Sequence, residues 1–450
     1  MNSLQTYSMA NESTVSTKLN DKKTINAWAF FDWANSAYAL TITVAIFPGY
    51  FAAATLDEVN VFGMMISNSA LYSFAISAAY LILAVLSPWL SGMADYGGKR
   101  MTFMRFFTVL GSISCIGLIF FEGMSAELPA TDAYNVSQML IGTVCFMLGT
   151  IGFAGGLVFY NSYLPLIATE DQYDRVSAKG FSYGYIGSLI LLGINLAIIL
   201  NPEVFGFNPD KSWMYRIAFL MVGLWWLGFA LIPFNRLPPD DPDKPKDNLM
   251  SKGFEELSKV WQKVKNEPNI KGFLASFFCY SAGVQTVLFL AAIFAEKELG
   301  FETSSLILVV ILLQFVAIFG AYLFAKVSDV KGNKFSLLSM LVIWLVICTA
   351  AYFVTESWEF YVVAASVGLV MGGVQSMSRS TYSKLLPRNT PDTTSYFSFY
   401  DILEKLAIVS GTFIFGLTDQ LVGMRNSVLI LTVFFVLGFV FLWRVKIRRS

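Results

Sequence analysis

Long apolar stretches broken by short polar segments set the pattern of this chain. Crossing a membrane as a helix takes about 20 apolar residues. By that measure the pattern predicts twelve spanning helices. In the first half they cover residues 28–53, 66–92, 102–121, 138–164, 181–200 and 214–234. In the second half they cover 272–295, 304–327, 334–353, 360–385, 400–421 and 426–445. Residues 1–27 form a polar N-terminal tail with no apolar segment of the kind a signal peptide needs. Between the halves, Pro238-Pro239-Asp240-Asp241-Pro242 breaks any helix, and Phe254, Leu257, Val260, Trp261 and Val264 then recur at helical spacing. The expectation there is an amphipathic helix, lying on the inner membrane surface or tying two bundles together. The predicted organisation is thus a tail (1–27), a six-helix bundle (28–235), a linker (236–270) and a second six-helix bundle (271–450).

The halves echo each other in order. Phe30-Phe31-Asp32-Trp33 returns as Phe277-Phe278-Cys279-Tyr280, and Ala45-Ile46-Phe47 as Ala292-Ile293-Phe294 at the same offset. Gly155-Gly156 followed by Asn161-Ser162 matches Gly372-Gly373 followed by Ser378-Arg379. Several echoes in one order imply a six-plus-six duplication.

Composition agrees. The chain is 56% hydrophobic and 14% charged, too few charges to coat a soluble protein of this length. Lys and Arg balance Asp and Glu, so nothing points to nucleic acid as a partner. Of the 31 Lys and Arg, all but five fall on the side of the N-terminus; the exceptions are Lys211, Arg216, Lys297, Lys405 and Arg425. Both termini are therefore expected in the cytoplasm. Histidine is absent, so a proton carrier has to be Asp or Glu. The four cysteines stand singly, without metal-ligand spacing. A phosphate-cradling loop, a nucleophile–base pair and a cofactor motif are also missing, and neither enzymatic activity nor a cofactor is expected.

Polar residues inside apolar runs are the candidate chemistry. In the first run Asp32, Asn35, Ser36, Ala39 and Thr43 share one helical face, with Tyr38 beside them. A carboxylate in a spanning helix costs at least ~2.5 kcal/mol unless it faces protein or water. Asp32 lies four residues inside Trp28, about 6 Å along the axis, in the inner third. Two readings stand: a proton carrier, or a fixed partner for a helix end or a basic residue at the inner gate. Arg379 likewise reads as a clamp for a solute carboxylate, or as an ion-pair partner for Asp32, Asp401 or Glu404. Part of that cluster can neutralise itself, Lys405 being next to Glu404 and one turn from Asp401. Asn161, Gln285, Gln314 and Gln375 are neutral polar groups at membrane depth, suited to solute binding or to interhelical bonds.

With these residues in view, the chain resembles a Major Facilitator Superfamily transporter. Gly92-Met93-Ala94-Asp95-Tyr96-Gly97-Gly98-Lys99-Arg100 after the second run, echoed by Ser328-Asp329-Val330-Lys331-Gly332-Asn333-Lys334 after the eighth, resembles that superfamily's signature loop. More closely it is similar to the vacuole effluxer family, related to the autophagic amino-acid exporter of fungi. Asp32-Trp33-Ala34-Asn35-Ser36-Ala37-Tyr38 carries that likeness, joined by Phe159-Tyr160-Asn161, Gly184-Tyr185-Ile186-Gly187 and Gly373-Val374-Gln375-Ser376. The compact form with short loops resembles a bacterial member. Two departures stand out: Ala282-Gly283-Val284-Gln285 lacks an acid expected in the seventh helix, and Asp401 and Glu404 are additions.

The resemblance implies an all-α integral membrane fold, two pseudo-symmetric bundles rocking about a central site lined by helices one, four, seven and ten. It implies Asp32, Asn35, Tyr38, Asn161, Gln285, Gln375 and Arg379 as coupling or cavity residues. Gly92, Asp95, Gly98, Arg100, Asp329, Gly332 and Lys334 would form the gates, where an acid caps a facing helix or pairs with a base when the inner side closes. The function implied is secondary transport of a small polar metabolite, amino acids first and outward, with protons as a possible second partner, by a monomer in the inner membrane. The residues alone also leave open a carrier of sugars, peptides or xenobiotics, a lipid scramblase, or a membrane protein that moves nothing.

Overall fold

A computed structural model describes residues 19–447, apart from 62, 207–210, 246, 302 and 389. Asp21 caps α1 (Lys22–Ala37), its carboxylate accepting the Thr24 amide and hydroxyl at 2.8 Å each, and these bonds hold its pKa below the usual carboxylate range. The first helix therefore starts six residues before Trp28, and Asp32 sits ten residues in, about 15 Å along the axis. A π-helical stretch, Tyr38–Ile46, leads into α2 (Phe47–Ala54). The wider turn means the polar face expected to run on through Ala39 and Thr43 loses its α-helical register after Tyr38.

A short antiparallel hairpin follows, β1 (Glu58–Val61) with β2 (Met64–Ser67). Hydropathy gave no sign of it; Gly63, at φ 87°, takes the left-handed turn and its amide bonds Asn60 Oδ1. The first half continues with α3 (Asn68–Gly97), α4 (Arg100–Gly117), α5 (Ala133–Ser162), the one-turn α6 (Leu164–Ile167), α7 (Tyr173–Leu200) and α8 (Lys211–Phe234). The linker holds α9 (Leu249–Asn266). The second half comprises α10 (Pro268–Leu299), α11 (Thr303–Lys331), α12 (Asn333–Phe353), α13 (Ser357–Leu385), α14 (Thr393–Val422) and α15 (Met424–Arg444).

Each of the twelve predicted runs falls on one of these long helical segments. Ten are long and apolar enough to cross a membrane among the described residues. Helices α10 and α14, at 32 and 30 residues, have the length to do so, and α14 carries Asp401, Glu404 and Lys405 in its interior.

Within each half, helices pack in matching fashion: α1 on α7 and α8 and α3 on α5 in the first, α10 on α14 and α15 and α11 on α13 in the second. The halves meet along two seams, α7 against α11 and α13, and α14 against α3 and α5. The linker is pinned rather than loose. Asp240 accepts the first amides of α4, from Met101 at 2.7 Å and Thr102 at 3.1 Å, and α9 lies on α3 with Val260 and Val264 buried. Trp261 of α9 packs at a tilt against Phe399 of α14, ring centroids 5.3 Å apart, so the helix touches both halves. Asn20 with Thr169, Gly98 with Asp241 and Asn269 with Lys446 bring the first and last described residues and the linker to one end of the molecule, called here the terminal end.

Candidate functional site

Arg379 of α13 lies between the halves, 2% exposed. Its Nη1 donates to Asp32 Oδ2 at 3.3 Å and to Asn161 Oδ1 at 3.1 Å. Its Nε reaches Ser177 Oγ at 2.9 Å, and Nη2 the Ser177 carbonyl at 2.8 Å. The rings of Phe181, Trp28 and Tyr160 surround the guanidinium at 4.1, 4.7 and 5.4 Å. Asp32 accepts a second hydrogen bond from the Tyr160 hydroxyl at 2.7 Å. Room for this knot comes from Gly180: a Cβ there would stand 2.8–2.9 Å from Arg379 Nη2, Tyr160 OH and Asp32 Oδ2. A buried pair is tolerable when further hydrogen bonds support it, and here Tyr160, Asn161 and Ser177 supply them. Asp32 and Arg379 thus form a bond between the halves.

Two more polar clusters join the halves toward the terminal end. Asp95, at the end of α3, accepts the Ser395 amide at 2.6 Å and the Thr394 amide at 3.2 Å, capping α14 across the seam. Arg100 pairs with Asp95 at 3.1 Å and donates to the Thr393 and Thr394 hydroxyls. Gly98, at φ 62°, ends α3 so that this turn can form. On the other seam Asp174 of α7 accepts from Lys384 at 2.9 Å, Ser328 at 2.8 Å and Asn333 at 2.7 Å.

Asp95, Gly98 and Arg100, three of the residues expected at a gate, come together on the α3–α14 seam. Gly92 lies inside α3, where α9 presses so close that a Cβ would meet the Gly253 carbonyl at 2.0 Å; it is a packing residue. Asp329 of α11 pairs with Arg175 of α7 at 2.8 Å, a surface contact between the halves and the acid–base pairing expected of that loop. Gly332, at φ 84°, supplies the turn before α12, while Lys334 bonds the Trp443 carbonyl within its own half. Asp174 adds a buried contact on the same seam, and it escaped notice because it precedes the apolar run of its helix.

The cavity candidates divide. Gln375 accepts from Tyr185 of α7 at 2.5 Å, a cross-half bond. Gln285 donates to Glu404 Oε1 at 3.2 Å. Tyr38 is packed inside the first half, its hydroxyl on Thr150 and the Phe146 carbonyl. Asn35 is 1% exposed and neither of its amide atoms finds a partner among the described residues. Asp401 pairs with Lys405 and accepts from Ser87 of α3 at 3.4 Å. Tyr160, Ser177, Asp174, Lys384 and Ser87 are site residues that sequence reading missed; serines and tyrosines in apolar helices give no signal of their partners. Among the described residues no three potential ligands gather around a metal position.

Two pseudo-symmetric helical halves, joined by polar clusters at one end, define a transporter of the Major Facilitator Superfamily type. Solved structures with this fold include the FucP transporter in its outward conformation (TM-score 0.68, 14% identity, 95% of this chain and 99% of that one) and a bacterial homologue of the iron transporter ferroportin (TM-score 0.65, 12% identity, 94% and 98%). Within that class the chain belongs to the family described as "Vacuole effluxer Atg22 like", whose pattern matches residues 20–450. It is 29% identical to the uncharacterized MFS-type transporter YxiO of Bacillus subtilis over 93% of each chain. It is 26% identical to autophagy-related protein 22 of Kluyveromyces lactis, over 83% of this chain and 78% of that one.

Proposed function

We propose that this transporter carries a small polar metabolite, neutral amino acids first, out of the cell by alternating access, and that it performs no enzymatic reaction. In this reading it sits in the cytoplasmic membrane as a monomer with both termini inside, in keeping with the bias of Lys and Arg. The observation that carries the reading is the Asp32–Arg379 bond. Arg379 belongs to the second half, but its counter-charge and all four of its hydrogen-bond acceptors belong to the first. When the halves part at the terminal end, the guanidinium loses them together. A solute carboxylate, with the same planar geometry as Asp32, is the natural replacement. Solute would thus enter from the cytoplasm as the bond opens and leave as it reforms with the opposite end open.

Proteoliposomes holding the purified protein test this by counterflow of labelled neutral amino acids, with sugars and dipeptides as comparison. Saturable amino-acid exchange is expected, reduced about tenfold or more in Arg379→Lys, since an ammonium cannot reproduce the fork. Exchange of a sugar alone, or of amino acids undiminished in the Lys variant, would contradict the reading.

A further inference from the structure

Beyond the self-neutralising Asp174–Lys384 pair nearer the terminal end, five charged side chains among the described residues occupy the interior of the spanning segments between the halves: Asp32, Arg379, Asp401, Glu404 and Lys405. Four are matched, Asp32 with Arg379 and Asp401 with Lys405. Glu404 is the odd one. Its shown hydrogen bond comes from a neutral amide, that of Gln285. Were all five ionised, the set would carry one uncompensated negative charge at membrane depth, an unfavourable state. A proton is the smallest occupant that removes it.

We propose that Glu404 is the proton-carrying residue of the transport cycle. This rests on the transport reading above and replaces Asp32 in the role that the sequence suggested for it. Asp32 is unsuited: its carboxylate is the counter-charge of the buried Arg379, and protonating it would leave that guanidinium uncompensated between the halves.

The surroundings of Glu404 are defined on each side. From its own helix come Asp401, Lys405 and Tyr400; from α10 come Gln285 and Tyr280; from α3 comes Tyr80; and Arg379 of α13 lies within electrostatic reach. The other neighbours of α14 have ionisable groups engaged elsewhere: Tyr160 of α5 with Asp32, Lys263 of α9 with Asp392, Arg425 of α15 with Glu298. Access is tied to the cycle through Ser87, whose hydroxyl bonds Asp401 across the α3–α14 seam one turn of helix before Glu404. Parting that seam removes a neutralising contact from the acidic pair and admits water. The step itself is simple. Glu404 takes a proton from hydronium, leaving water, and returns it to water on the other side; no other bond changes.

The test combines two readouts on wild type, Glu404→Gln, Glu404→Asp and Asp32→Asn. In proteoliposomes with amino acid, an imposed pH gradient should drive accumulation in wild type and in the Glu404→Asp variant. In Glu404→Gln that accumulation should fall about tenfold, with exchange at equal pH kept within about twofold. Asp32→Asn should keep gradient drive if it exchanges at all. Infrared spectra of the purified protein should show a protonated-carboxyl band that titrates with pH in wild type and is missing in Glu404→Gln. Gradient drive surviving in the Gln variant, exchange lost together with it, or an unchanged infrared band would each overturn the proposal. An absence of amino-acid exchange in wild type counts against the transport reading instead, and the infrared comparison then decides on Glu404 alone.

Discussion

At the scale of single residues, Gly180 sets how closely Asp32, Tyr160 and Arg379 can gather, and substitution there acts on all three at once. Gly180→Ala adds a methyl 2.8–2.9 Å from three polar atoms, none of which can retreat without breaking a hydrogen bond. Overpacking of this kind costs about 1–3 kcal/mol. The expected outcome is a lowered melting temperature and impaired exchange, whereas Gly193→Ala on the same helix, with open space around it, should change neither. The prominence of Asp32 and Arg379 could be read from sequence, because a lone acid and a lone Arg stand out in apolar runs. That they pair could be raised only as one possibility among three partners. Their meeting across 347 positions depends on how α1 and α13 face each other. Ser177 left no trace and Tyr160 only a place in the Phe159-Tyr160-Asn161 string, since a hydroxyl in a membrane helix usually bonds its own backbone or a neighbour.

At the scale of elements, the two seams are closed by different means. The α3–α14 seam uses a carboxylate on a helix N-terminus, which is legible in sequence because Asp95 sits in a loop with a turn-forming glycine and a basic residue. The α7–α13 seam uses a buried pair, Asp174 and Lys384, whose side chains are 3% and 2% exposed. Removing one partner of a buried pair leaves an uncompensated charge and costs about 3–5 kcal/mol, whereas replacing both costs far less. Asp174→Asn and Lys384→Met should therefore each lower thermal stability strongly, and the double variant should recover much of the loss, as a double-mutant cycle in thermal unfolding will show. Additive losses would mean that the two residues act separately. Hydropathy located the twelve helical segments, because the bilayer demands length and apolarity and little else. It could not show the π-helical stretch after Tyr38, the hairpin at Glu58–Ser67, or the early start of α1. Those depend on local hydrogen bonding, and only the last has a sequence signal, the Asp21 cap.

At the scale of the whole molecule, the duplication is visible in sequence and in packing, yet the two halves do not contribute equal chemistry. In the buried contacts the first half offers acids to the seams (Asp32, Asp95, Asp174) and the second answers with Arg379, the α14 N-terminus and Lys384, while the exposed Arg175–Asp329 pair runs the other way. Three complementary contacts gathered toward one end make that closed end a discrete state that can be lost as a unit, which alternating access requires. The most direct measurement of this claim is the distance between spin labels at Asp171 and Val330, exposed sites on opposite halves at the terminal end, by pulsed electron resonance. Wild type should show a short-distance population. In Asp95→Ala combined with Asp174→Asn, weakening both seams, a longer distance should gain at least about tenfold in relative population, the effect of ~1.4 kcal/mol. A single distance, the same in both proteins, would contradict the account.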